Sequence, residues 1–244
     1  MREILGRRSR RKWSSQWFKA KRDRSALRSA ALAYAEQWRW PVLPGAGCDN
    51  TTTDHEKGQV DDPDTGEVDR ACACPRPDCA VPGGHPHDPG LLAATTDPRM
   101  VGWWWTNRPD APVILATGDP VSAISLPSTA GARAIATLEE MGVRLGPVVA
   151  TPTRCLLLVA PYSFEELGEL LDQHDWVPSS LHYHSRGGYV VLPPSRIAAG
   201  QVSWARAPQP GPDGVAPWLP QIGVIVDTLV EAGAGAPDGS WLTH

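Results

Sequence analysis

The chain has 244 residues, 41% of them hydrophobic, a formal net charge of −4 and five cysteines. That length suits one large domain, or one domain with appendages, and the apolar share suffices for a core. No run of about eighteen apolar residues occurs, which excludes a membrane-spanning helix. Arg28 interrupts the Ala/Leu run near the N-terminus, so a secretory signal is not expected, and the cysteines are expected to be cytoplasmic thiols or metal ligands.

The charge is unevenly spread. Residues 1–28 hold eleven Lys/Arg against two Asp/Glu, while the remainder holds twelve against twenty-five. A basic arm on an acidic body suits contact with nucleic acid, and it also describes a plain solvated tail. Residues 1–24 set Trp13, Trp17 and Phe18 among the basic residues. They read as a flexible arm able to stack on bases and neutralise phosphates. Residues 25–38 predict a helix, with Leu27, Ala30/Ala31, Tyr34 and Trp38 on one face, stopped by Pro41. Residues 49–69 carry eight acids and one lysine without periodicity, and read as a solvated loop.

Residues 71–90 carry the sharpest local signal. Cys72, Cys74, Cys79 and His85 bring three thiolates and one imidazole into fourteen residues rich in Pro and Gly. Zn²⁺ takes four such ligands in a tetrahedron, and a site filled by protein on all four corners is structural. His87 can replace His85, and Cys48 is a spare thiol.

Asp97-Pro98 caps a helix that carries Met100, Val101 and Trp103–Trp105. Residues 113–117 and 121–126 predict strands around the Gly118-Asp119-Pro120 turn. Residues 128–141 predict a helix, and 148–151 and 155–160 two more strands. Ser163 and Glu166 form a capping box for a helix burying Phe164, Leu167, Leu170 and Leu171. Residues 181–185 and 189–192 read as a strand pair around Gly187 and Gly188. These glycines let the backbone turn or approach a ligand, and Arg186 stands where it can meet a phosphate. An edge strand at 202–204, a Pro-rich linker at 207–217 and a last helix at 220–232 complete the chain. The mixture predicts an α+β fold around a mostly antiparallel sheet with flanking helices.

Several stretches, in order, resemble the N-terminal domain of bifunctional DNA primase/polymerases, within the archaeo-eukaryotic primase superfamily. They are the W-P-V-x-P step at Trp40–Pro44, the C-x-C-x4-C-x5-H insert at Cys72–His85, A-T-T-D-P with a Trp-rich helix at Ala94–Trp105, A-T-G at Ala116–Gly118, and G-G-Y-V-V-x-P-P-S at Gly187–Ser195. The resemblance spans about residues 25–204, and the domain it implies is 25–206, followed by the linker and C-terminal helix. It implies a small α/β lobe joined to an RNA-recognition-motif-like sheet. It also implies single-stranded DNA, nucleotides and Mg²⁺ or Mn²⁺ as ligands, with no membrane role.

The resemblance further implies acids on adjacent strands that hold two divalent cations, which activate the attacking 3′-hydroxyl and neutralise the triphosphate. In this chain Ser125, with Ser122 or Pro127 as alternatives, stands where the first acids are expected, and His182 where the third is. Cys155 replaces a nucleotide-contacting histidine, while the arginine beside it is kept as Arg154. Serine and histidine do not supply the negative oxygens Mg²⁺ requires. The expected protein therefore binds DNA or nucleotide with lost or weakened nucleotidyl transfer. One alternative is an active enzyme whose acids have moved to Asp119, Glu139, Glu140, Asp172 or Asp175. The other is a zinc-stabilised protein-interaction module.

Overall fold

A computed structural model describes residues 6–48, 71–212 and 214–234, with side chains from residue 19 onward. The acidic loop expected at 49–69 and the last ten residues lie outside that set.

Helix α1 runs from Gly6 to Glu36. The flexible arm expected before residue 25 is thus helical from Gly6, a correction with a simple cause. Beyond Gly6 the segment has no Gly or Pro, and Arg, Lys and Ala are good helix formers. From Lys19 to Ala26 the helix is exposed, and it enters the core through Leu27, Ala31, Tyr34 and Ala35. Arg39, at φ 57, ends the turn before Trp40, whose N–H bonds the Tyr34 carbonyl.

The strands form two main sheets. The first holds β1 (Val42–Pro44), β2 (Val113–Ala116) and β7 (Tyr189–Leu192) in the order β1-β2-β7. Helix α1 and α2 (Pro98–Asn107) cover it. As the sequence predicts, Asp97 caps α2 by accepting the Arg99 N–H at 2.9 Å. The second sheet has the order β10-β4-β5-β3-β6. Its strands are β3 (Ser122–Pro127), β4 (Val148–Ala150), β5 (Arg154–Val159), β6 (His182–His184) and β10 (Ser203–Arg206). Every pairing in both sheets is antiparallel. A short hairpin of β8 (Arg196–Ile197) and β9 (Gly200–Gln201) lies between β7 and β10.

Side-chain alternation splits the second sheet into two faces. Ile124, Leu126, Leu157 and Val159 pack under α3 (Ser128–Glu140) and α5 (Val226–Ala234). Ala123, Leu156 and Leu158 face the other way and join the core of the first lobe.

Four expectations are corrected here. The segments at 181–185 and 189–192 are not a strand pair: β6 pairs with β3 and β7 with β2, in different sheets. The Gly-Gly turn between them is therefore a crossover, which local sequence cannot distinguish from a hairpin. The C-terminal helix is no appendage, because Ile222, Ile225, Val226 and Leu229 are fully buried beside α3. At about 1.5–3 kcal/mol for each such side chain, they form an integral part of the core. The Pro-rich stretch before it is also folded: Trp218 N–H bonds the Gln209 carbonyl, and Arg144 lies 4.4 Å over the Trp218 ring. Finally, Phe164 is 69% exposed on α4 (Phe164–Leu171), while Leu167 is the residue that α4 buries.

Candidate functional site

Two of the crossovers between the sheets lie side by side. Residues 117–121 carry the chain from β2 to β3, and residues 185–188 carry it from β6 back to β7. Thr117 N–H bonds the Gly188 carbonyl at 3.0 Å, and its hydroxyl donates to the Ser185 carbonyl at 2.7 Å. A Cβ on Gly188 would sit 2.7 Å from the Thr117 hydroxyl, and one on Gly118 would sit 2.9 Å from the Arg186 Cα. The close approach that Gly188 permits is thus to Thr117. Gly187, at φ 87, supplies the turn itself. Arg186 is exposed at this waist, on the rim of a cavity of about 540 Å³ shared with Asp119, Tyr162 and Glu165. On the other side of the turn, Gly187 and Tyr189 border a cavity of about 700 Å³ walled by Arg76, Cys79, His85 and His87.

The inward face of the second sheet carries a polar cluster. Register places Ser125 directly across from His182, and Ala123 across from His184. On the other side Pro127 lies across from Arg154. Alternation sets Ser125, His182, His184 and Arg154 on one face, beside Leu156. Arg154 donates through Nε to Ser125 Oγ at 3.1 Å, and through Nη2 to the carbonyls of Ser125 and Ser180 at 2.8 and 2.7 Å. The fully buried Ser125 hydroxyl in turn donates to His184 Nε2 at 3.0 Å. The Ser180 hydroxyl beside this network is buried without a partner among the described residues.

The charges follow from this packing. Burial, with the like charges of His182 and Arg154 next, lowers the His184 pKa to about 4. His182 is also lowered, by burial first and then by Arg154. Both imidazoles are therefore neutral at pH 7, which fits His184 Nε2 accepting a bond. Burial lowers Arg154 as well, but a guanidinium keeps its charge. The cluster is a net cation built of N–H and O–H donors. Mg²⁺ prefers carboxylate and other oxygen ligands, and the side chains of this cluster include no carboxylate.

The other residues singled out from sequence lie elsewhere. Cys155 is buried on the opposite face, where a Cβ on Gly131 of α3 would come within 2.5 Å of its Cβ. It therefore does not share the face of Arg154, beside which the resemblance expects a histidine. The Ser122 hydroxyl donates back to the Gly118 carbonyl at 3.4 Å. Glu139 pairs with Arg206 at 2.6 Å. Asp119, Glu140, Asp172 and Asp175 are exposed, and none of these acids joins a metal-ligating group among the described residues.

One such group does exist among the described residues. The ligand atoms of Cys72, Cys74, Cys79 and His85 all lie within 4.8 Å of one another. A zinc tetrahedron with thiolate bonds of about 2.3 Å has edges of roughly 3.8 Å, so small shifts close the site. Cys72 Sγ is already 3.3 Å from His85 Nε2. His85 Nδ1 donates to the Pro86 carbonyl at 2.8 Å, which fixes the tautomer and leaves Nε2 for a metal. His87 stays exposed outside the set, with its ring centroid 6.4 Å from that of His85. The donor set fits zinc, because soft thiolates select it over hard cations.

Residues 31–218 match the family model of the bifunctional DNA primase/polymerase N-terminal domain. The chain belongs to this family. No curated protein and no solved structure matches it. The matched primase/polymerase domain begins inside α1 and takes in both sheets, the zinc-type loop, the polar cluster and the waist. Helix α5 lies beyond the matched range yet completes the core under α3. Sequence reading found the metal loop because its ligands are close in the chain. It missed the Arg154–Ser125–His184 network, which needs the β5-β3-β6 register. The alternation of His182 and His184 was the available signal, but their partners are remote in sequence.

Proposed function

We propose that this primase/polymerase-family domain binds single-stranded DNA or a nucleotide in the cleft between its sheets, without carrying out metal-dependent nucleotidyl transfer. One observation carries the reading. Ser125 and His182 face each other on adjacent strands, with Arg154 donating into Ser125, at the positions where the family resemblance expects cation-holding carboxylates.

Two-metal transfer requires negative charge to gather two cations around the attacking and leaving oxygens. The Arg154 guanidinium repels cations and attracts phosphate, and the two neutral imidazoles beside it add no negative charge to offset it. Arg154 has five N–H donors, of which three are committed, so Nη1 is left to meet a phosphate oxygen. Arg186 at the waist adds a second cation. Zn²⁺ bound by Cys72, Cys74, Cys79 and His85 would brace the cleft wall next to Tyr189, a structural role.

The test pairs binding with chemistry. Single-stranded DNA should bind equally with and without added Mg²⁺, and neither primed nor unprimed templates should be extended. Template-directed incorporation with Mg²⁺ or Mn²⁺ would refute the loss of transfer. A second reading, a protein-docking module, is favoured by Met100 and Trp103, which are 45% and 61% exposed on α2. Absence of DNA binding at low salt would select it, since phosphate contacts make binding salt-dependent.

A further inference from the structure

Cys48 lies outside the four-ligand set but is paired with one of its members. An isolated antiparallel bridge links Cys48 to Cys72. The Ala73 N–H bonds the Gly47 carbonyl at 3.1 Å, so the flanking residues carry the hydrogen bond. This makes Cys48 and Cys72 a non-hydrogen-bonded pair, the kind whose Cα atoms approach to about 4.5 Å with side chains on one face. A disulfide needs a Cα separation of about 4.4–6.8 Å. Both sulfurs also border the same glycine. Cys72 Sγ accepts the Gly83 N–H at 3.1 Å, and Cys48 Sγ lies 2.4 Å from where a Gly83 Cβ would be. Gly83 has φ 78, so backbone conformation and space both hold a glycine there, and the two thiols share the room it leaves.

We propose that Cys48 and Cys72 form a reversible disulfide that dismantles the Cys72–Cys74–Cys79–His85 metal site under oxidation. With a hydroperoxide as oxidant, the Cys48 thiolate attacks the peroxide oxygen. The O–O bond breaks, and Cys48 becomes a sulfenic acid while one water leaves. Cys72 sulfur then attacks Cys48 sulfur, the S–S bond forms, and the sulfenic oxygen leaves as a second water. Two thiols have lost two electrons and two protons, and hydrogen peroxide has become two waters. Cys72 can no longer ligate, so three ligands remain and the metal is released. Because His85 and Cys79 wall the cavity next to Tyr189, release also loosens that side of the cleft.

The test treats zinc-loaded full-length protein with hydrogen peroxide. Zinc release is followed with a colorimetric chelator, and cross-linked peptides are mapped by mass spectrometry. Wild type should release its zinc and yield a Cys48–Cys72 linked peptide, and a thiol reductant should remove the link. Cys48→Ser and Cys48→Ala should bind zinc equally well at the start, yet release it at least about tenfold more slowly. Cys155→Ser, whose thiol faces α3, should behave as wild type. Equal release from the Cys48 variants, or a linkage confined to Cys72, Cys74 and Cys79, would overturn the proposal. The linked peptide can be read even in protein purified without metal.

Discussion

Two regions of this domain gather polar side chains around a point, and they differ in charge. The loop at 72–85 converges three thiols and an imidazole whose ring is turned to offer Nε2. The inward face of β3, β5 and β6 converges a guanidinium, a hydroxyl and two imidazoles, with the guanidinium held on backbone carbonyls. The first set becomes anionic when it loses protons, so a cation completes it. The second is cationic as it stands, so an anion completes it. On the proposed reading, similar clustering of functional groups leads to opposite ligands, and the sign of the donors decides which.

The largest test of that contrast is metal removal. Stripping zinc with a chelator, or the substitution Cys79→Ser, should lower stability by on the order of 3–5 kcal/mol, seen as a fall of about 10 °C in Tm. Magnesium added to the stripped protein should restore none of it. Next comes Arg154→Ala. It removes three charge-assisted bonds and should cost about 2–3 kcal/mol, and it should weaken single-stranded DNA binding at least about tenfold. Arg154→Lys keeps the charge but not the fork, so it should recover part of the affinity and little of the stability.

An effect that reaches a similar size only at the acid end of its window comes from pH. His184 is near 6.5 in the unfolded chain and about 4 in the folded one. Above pH 6.5 the imidazole is neutral in both states and its contribution is full. As pH falls from 6.5 to 4, the unfolded chain takes up a proton that the folded chain refuses, so stability declines by up to about 3 kcal/mol. Denaturation of His184→Gln across that window should show a flatter slope than wild type, and an unchanged slope would remove His184 from the explanation. The smallest effect concerns α1. Deleting residues 1–24 should lower both DNA affinity and its salt dependence modestly, as measured by titration at several salt concentrations.

The sequence revealed the parts of this fold that are set locally. Asp97 and Ser163 cap their helices as expected, the latter by accepting the Glu166 N–H at 3.0 Å. The metal ligands were equally legible, because prolines and glycines in one short segment bring them together. What depended on distant pairing was not legible. The segment Arg186-Gly187-Gly188 resembles a hairpin turn, yet Thr117, far away in the chain, receives it and separates β6 from β7 into two sheets. Cys155 and Arg154 are neighbours, yet strand alternation sends one under α3 and the other to the opposite face, onto Ser125 and Ser180. Phe164 has the right spacing for burial on α4 but nothing covers it among the described residues, while the last helix, expected behind a linker, fills the core beside α3.

The most direct measurement is primer extension by wild-type protein, with Mg²⁺ and then Mn²⁺, beside a Ser125→Ala/His182→Ala double variant. A cleft that gathers phosphate but no catalytic cations predicts that both proteins leave the primer unextended while the wild type still binds the template. Extension by the wild type that the double variant loses would mean that these side chains do serve a metal, and would contradict the account.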